Sequence, residues 1–298
     1  MSQHHYSQRF SGSEFLEEGE RLIVSTDYIR STTRSPANVG RVGLCTIIQK
    51  KTKSPLTKEI EVHIGFIIGD LGIGKTTFSS GISNWISFLS KDADISQAEK
   101  LVVILDLPAP IHLRDKNLDE IITPPLEKVK AFVREHERIP KINTKKHFFI
   151  ATSPEAMSSA SLLDPGEAAE RIRDVFYLRP LNDLIRQSIL KGGEIHVIVL
   201  KCDLLTTFSP IHYSIEAEYT IKEFFDIPLG KIIEVGWFNK FNKDSIKELL
   251  EEAKANPSSQ SSQMLGMLHN AAKNVVSAIS GEAIEAPLDM RLGTPKWD

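Results

Sequence analysis

Residues 69–76 read Gly69-Asp70-Leu71-Gly72-Ile73-Gly74-Lys75-Thr76, a full G-x-x-x-x-G-K-[ST] string. Its residue types suit one task, the binding of a nucleotide's phosphates. Glycines allow a tight turn that points successive N–H groups at an anion. A helix N-terminus adds unpaired donors and partial positive charge. Lys75 supplies a point charge for the β- and γ-phosphates and is the candidate catalytic residue. The Thr76 hydroxyl is a candidate Mg²⁺ ligand. The cofactor-binding set spans Gly69, Asp70, Leu71, Gly72, Ile73, Gly74, Lys75, Thr76 and Thr77.

The flanks supply the elements such a loop requires. Val62 to Ile68 is an apolar run that reads as a buried strand, and Thr77 to Ile86 reads as a helix. Strand, glycine-rich loop and helix in that order distinguish a phosphate loop from a chance match. Upstream, Val42 to Ile48 reads as a strand, and Lys51 to Lys58 as a return that would make a hairpin with the strand ending at Ile68. Downstream, the expected strands are Leu101–Leu105, His147–Ala151, Ile195–Leu200 and Lys231–Val235. Between them lie the expected helices: 118–137, Pro165–Tyr177, Leu181–Leu190, Ser214–Phe225 and Asp244–Ala255. Short apolar runs alternating with helices predict a doubly wound α/β fold, mostly parallel, with helices on both faces.

Two further carboxylates follow buried strands. Asp106 ends the strand 101–105 and is a candidate metal ligand alongside Thr76. Asp203 follows Leu200-Lys201-Cys202. In an open α/β sheet, ligands bind beyond the carboxyl ends of the strands, where both residues fall.

The order Gly69–Thr76, Asp106-Leu107-Pro108-Ala109, Leu200-Lys201-Cys202-Asp203 resembles the P-loop GTPases, and the Gly-Asp-x-Gly-x-Gly-Lys-Thr form resembles their Ras-related branch. Ile232 to Gly236, followed by Ser245 to Leu250, is similar to that family's last strand, base-contacting loop and final helix. The likeness runs over residues 60–255. It implies a P-loop NTPase fold, GTP and Mg²⁺ as ligands (ATP remaining open), Asp203 as the guanine reader with the stem of Lys201 packed on the base, and a backbone contact to the base near Gly236. The implied role has a chemical rationale: guanine presents two adjacent donors that one carboxylate can accept, adenine does not, and a mismatched base leaves a buried polar group unpaired.

The chain departs from that pattern in four places and reads as a divergent member. Leu200 replaces the Asn or Thr of the base motif. Ala109 takes the place of a glycine, and Pro110 stands where a water-orienting Gln is frequent; Pro has no side-chain amide. The interval from Lys75 to Asp106 leaves no room for a long first switch loop with its own strand, and the strand at 42–48 could fill that sheet edge instead. Ser90, Asp92 and Ser96 are surrogates in that interval. Gly236-Trp237-Phe238 replaces Ser-Ala-Lys. These features predict binding with slow hydrolysis, as a switch or regulated assembly factor. The competing readings are an adaptor that retains a degenerate G domain, and a P-loop ATPase or small-molecule kinase. Arg171, Arg173, Arg179 and Arg186 lie in the middle segment, and any one could act as a charge-stabilising arginine.

The 298 residues carry a net charge of −3, with 41% hydrophobic and 25% charged residues, as in an ordinary globular protein. Neither nucleic acid nor an acidic membrane is indicated as a partner. Lys50-Lys51-Thr52-Lys53 reads as a solvated loop. Two cysteines, Cys45 and Cys202, show no metal or disulfide spacing. No stretch approaches the length of a membrane span and the N-terminus has no apolar signal core, so a cytoplasmic location is expected. The expected organisation is a polar, partly flexible extension at 1–40, with a loop at 31–40; the G-like domain at 41–255; and, at 256–298, a serine-rich linker, an amphipathic helix and a tail. Met264, Leu265, Leu268, Ala272, Val275 and Ile279 form one stripe of that helix. It either packs onto the domain or offers a protein partner a docking face.

Overall fold

A computed structural model describes residues 7–10, 22–30, 41–51, 59–89, 98–107, 109–113, 118, 141–155, 162–236 and 243–280. Among the described residues eight strands form one sheet: β1 (Ser7–Phe10), β2 (Leu22–Arg30), β3 (Arg41–Lys51), β4 (Glu59–Ile68), β5 (Ala98–Asp106), β6 (Lys141–Thr152), β7 (Ile195–Val199) and β8 (Ile232–Glu234). The spatial order is β1-β2-β3-β5-β4-β6-β7-β8. β5, β4, β6, β7 and β8 are mutually parallel, and β1, β2 and β3 extend the β5 edge as antiparallel strands.

Two expectations change here. β3 and β4 do not form a hairpin, because β5 lies between them. β3 pairs antiparallel with β5, from Leu44 opposite Leu105 to Lys51 opposite Ala98. A strand from the N-terminal side thus fills the edge next to the short 75–106 interval. Residues 1–40, read as an extension, contribute β1 and β2 to the sheet. The loop at 31–40, the surrogates Ser90, Asp92 and Ser96, and Trp237-Phe238 lie outside the described residues, as does the 118–137 helix apart from Leu118.

Among the described residues the helices are α1 (Lys75–Leu89), α2 (Pro110–Leu113), α3 (Pro165–Phe176), α4 (Arg179–Ile189), α5 (Pro210–Phe225), α6 (Lys243–Ala255) and α7 (Gln260–Ser280). Local chemistry sets several starts. The Asp164 side chain accepts the Glu167 N–H at 2.8 Å, with Pro165 in the first turn of α3. Ser209 and His212 form a reciprocal cap ahead of α5. Asp226, in the left-handed region at φ 49°, closes that helix.

Alternation along the strands builds two cores. Val62, Ile64, Phe66 and Ile68 of β4 face a core shared with α3, α4 and α5. Ile67 faces the second, with Phe78, Ile82 and Trp85 of α1, Ile246 and Leu250 of α6, and the whole inner surface of α7. Strands apolar on both faces are what a sheet covered on both sides demands.

The docking-face reading of α7 is corrected. Met264, Leu265, Leu268, Ala272, Val275 and Ile279 are buried, and so are Met267, Ala271, Val276 and Ala278. The apolar surface is wider than one stripe, and the sheet, α1 and α6 cover it. Trp85 of α1 donates its indole N–H to His269 of α7 at 3.3 Å. The second half of the serine-rich stretch read as a linker, Gln260 to Ser262, is the first turn of α7, with Ser261 bonded to Glu252 of α6 at 2.6 Å.

Candidate functional site

The string at 69–76 joins the C-terminal end of β4 to the N-terminus of α1. Two glycines have geometric reasons to be there. Gly74 sits at φ +103°, where a side chain is strained. A Cβ on Gly69 would stand 2.5 Å from the Ala151 carbonyl oxygen and 2.7 Å from Ile73. Ile73 is buried and anchors the loop in the second core, while Leu71 and Thr77 face solvent. The Phe78 N–H donates to the Gly74 carbonyl at 2.9 Å and starts the helical ladder.

Lys75, Thr76 and Asp106 converge. The Thr76 hydroxyl donates to Asp106 Oδ2 at 2.5 Å across a gap of 30 residues in sequence. Asp106 is 3% exposed. Its Oδ1 is buried without a hydrogen-bond partner among the described residues. Burial pushes its carboxyl up to about 6, against the Thr76 hydrogen bond and the Lys75 charge, which pull it down. Lys75 is also buried, and its ammonium donates to the Asp70 carbonyl at 2.5 Å. Burial lowers its pKa, opposed by Asp106 and Asp70.

A hard cation with oxygen ligands fits this constellation. The orphaned Asp106 oxygen and the Thr76 hydroxyl are the donor types that Mg²⁺ takes, with water completing its shell. A second cluster does not fit a cation. His147, Glu194 and His196 bring ligand atoms within 4.8 Å of one another. However, the Lys231 N–H donates to His196 Nδ1 at 2.9 Å, so in the neutral ring the proton sits on Nε2. Nε2 is then a donor and has no lone pair for a metal. Burial lowers His196 to about 4 and His147 to about 3, which keeps both rings neutral.

At the other end of the loop, Lys201 adopts φ 56° and donates to the Gly72 carbonyl at 3.1 Å. It also pairs with Glu155, which follows β6. Asp203 is exposed on the 3₁₀ turn Cys202–Leu204. The Cys202 N–H donates to the Val235 carbonyl at 2.9 Å, which holds this turn beside the end of β8. Gly236 is next along, but its N–H already donates to Met267 Sδ of α7 at 2.9 Å. Lys75, Thr76, Asp106 and Lys201 thus gather at the loop, with Asp203 and Gly236 along the same edge. Ala109 is buried, and Pro110 opens α2.

Sequence reasoning did not single out Glu155, whose place beside Lys201 depends on tertiary structure. Of the four arginines, Arg171 reaches the loop, bonding Asp70 at 2.9 Å. Arg173 pairs with Glu223, Arg179 lies near Asp183, and Arg186 bonds the Phe224 carbonyl.

No protein-family model matches the chain, and no curated protein matches it. Among solved structures it is similar to the FeoB G-domain from Methanococcus jannaschii, at 12% identity and TM-score 0.26, over 65% of this chain and 98% of that one. It is also similar to S-formylglutathione hydrolases from Staphylococcus aureus (9% identity, TM-score 0.28, 85% and 99%) and Agrobacterium tumefaciens (11%, 0.28, 82% and 99%). No helix among the described residues is long and apolar enough to cross a membrane.

Proposed function

We propose that this chain is a Mg²⁺-dependent nucleotide-binding protein of P-loop type, with GTP as its nucleotide and slow hydrolysis, working as a switch or regulated assembly factor. One observation carries the reading: a buried Lys75, a Thr76 hydroxyl and a half-satisfied Asp106 carboxylate meet where a glycine-rich turn opens a helix. In this reading the loop N–H groups and Lys75 hold the phosphates. Thr76 and Asp106 hold Mg²⁺, which supplies charge neutralisation on the phosphates. Lys201 braces the loop, and Asp203 reads the base from the adjoining turn.

Slow turnover follows from what stands after Asp106. Hydrolysis requires a water placed in line with the terminal phosphorus, so that a P–O bond forms as the bond to the leaving diphosphate breaks. Pro110 has no side-chain group to orient that water. The adaptor reading has the same support from Pro110, but it loses the 264–279 helix as its docking face, since that helix is buried.

The test of the base assignment is the affinity ratio of GTP to ATP, each with Mg²⁺. Wild-type protein is expected to prefer GTP, and Asp203→Ala to reduce that preference more than it reduces phosphate affinity. Equal binding of the two nucleotides by wild type would remove Asp203 from its role.

A further inference from the structure

The phosphate loop carries an acid of its own. Asp70 makes three contacts with three different groups. Its Oδ1 accepts the Leu71 N–H at 2.7 Å, its Oδ2 accepts Arg171 Nη1 at 2.9 Å, and its carbonyl accepts Lys75 Nζ at 2.5 Å. The first contact has a chemical consequence. Leu71 is a residue of the glycine-rich loop, and a carboxylate already occupies its N–H donor. An anionic side chain at that position competes with phosphate for the donor and repels the phosphate's charge.

Arg171 answers this charge. It projects from α3, 101 residues away in sequence, and is half-buried together with Asp70. α3 is set by its Asp164 cap and by Ile172, Val175 and Phe176, which are buried in the first core. The guanidinium is therefore delivered to the loop by a fixed element. Resting on the nucleotide-binding reading above, we infer that Arg171 is a positioning residue for phosphate binding: it neutralises the Asp70 carboxylate and holds it aside, so that a nucleotide's phosphates can enter the loop.

The test is a double-mutant cycle read by titration with fluorescent GTP and ATP analogues in Mg²⁺. Arg171→Gln removes the cation paired with the Asp70 carboxylate and leaves only Lys75, already shared with Asp106, to offset it, and is expected to weaken binding of both nucleotides about tenfold or more. Asp70→Asn removes the repulsion and frees the Arg171 charge, and is expected to tighten binding. The double variant, with both charges gone, is expected to return to near wild-type affinity. A merely structural ion pair would show no such rescue; it would appear instead as equal losses of thermal stability in both single variants, recorded without nucleotide. Unchanged binding in Arg171→Gln overturns the inference. A loss that Asp70→Asn does not rescue overturns it too, because Arg171 would then touch the phosphates directly. Failure of the wild type itself to bind either nucleotide defeats the underlying reading, and is distinguishable from both.

Discussion

Replacing Asp106 with Asn is expected to stabilise the nucleotide-free protein while abolishing its response to Mg²⁺. The carboxyl ionises in the unfolded chain at its ordinary value of 3.8 and in the folded protein at about 6, chiefly because burial disfavours its charge. The folded state therefore holds this proton more tightly than the unfolded chain. The stability contributed by this site is present below 3.8 and is lost as pH rises through about 6. At about 1.4 kcal/mol per pH unit, about 3 kcal/mol is lost at neutral pH. Asparagine has no charge to bury and keeps an oxygen for the Thr76 hydroxyl, so Asp106→Asn should recover much of that loss. For a chain of this size the gain in Tm is on the order of 5–10 °C. The assay is thermal melting without nucleotide from pH 5 to 8, repeated at pH 7.5 with Mg²⁺ and GTP. The advantage of the variant should grow up to pH 6 and then level off. Mg²⁺–GTP should raise the wild-type Tm by mass action and leave that of the variant nearly unmoved. A variant less stable than wild type at pH 7.5, or an advantage independent of pH, would refute the reasoning.

The buried histidines act in the opposite direction. His147 is lowered to about 3, and His196 and His269 to about 4, so the stability from their neutral rings is present above about 6.5 and lost as pH falls through that value towards 4 and 3. Urea midpoints should fall between pH 7 and 5, and more steeply in the Asp106→Asn background, where the opposing carboxylate is gone; a flat profile there would contradict the burial argument. Leu268 is fully buried between α7 and the sheet, and Leu268→Ala should cost about 2–5 kcal/mol in chemical denaturation. A loss near zero would return α7 to the status of a docking helix.

Some of this could be read from the residues alone and some could not, for physical reasons. The loop at 69–76 is local: eight consecutive residues hold the glycines, the lysine and the hydroxyl, and the flanking periodicities reveal strand and helix. Asp106 could be placed because strand ends in an open α/β sheet converge on one edge. The residues left two places for β3: a hairpin with β4, suggested by the turn residues between them, and the sheet edge beside the short 75–106 interval, which is where its pairing with β5 puts it by closing a distant loop. The breadth of α7's buried surface escaped the stripe of six residues, since Met267, Ala271 and Val276 become core only when α1 and α6 flank the helix. The contacts of Asp70 with Arg171 and of Lys201 with Glu155 join residues 101 and 46 positions apart, separations on which no local pattern bears.

The most direct measurement is equilibrium binding of GTP to the full chain, with Mg²⁺ and with EDTA, for wild type and Lys75→Ala. Tight wild-type binding that weakens when Mg²⁺ is removed, and weakens further when the Lys75 ammonium is deleted, is the expected result. Binding indifferent to both Mg²⁺ and Lys75, or no binding by wild type, would contradict the assignment of residues 69–76 as a nucleotide phosphate loop.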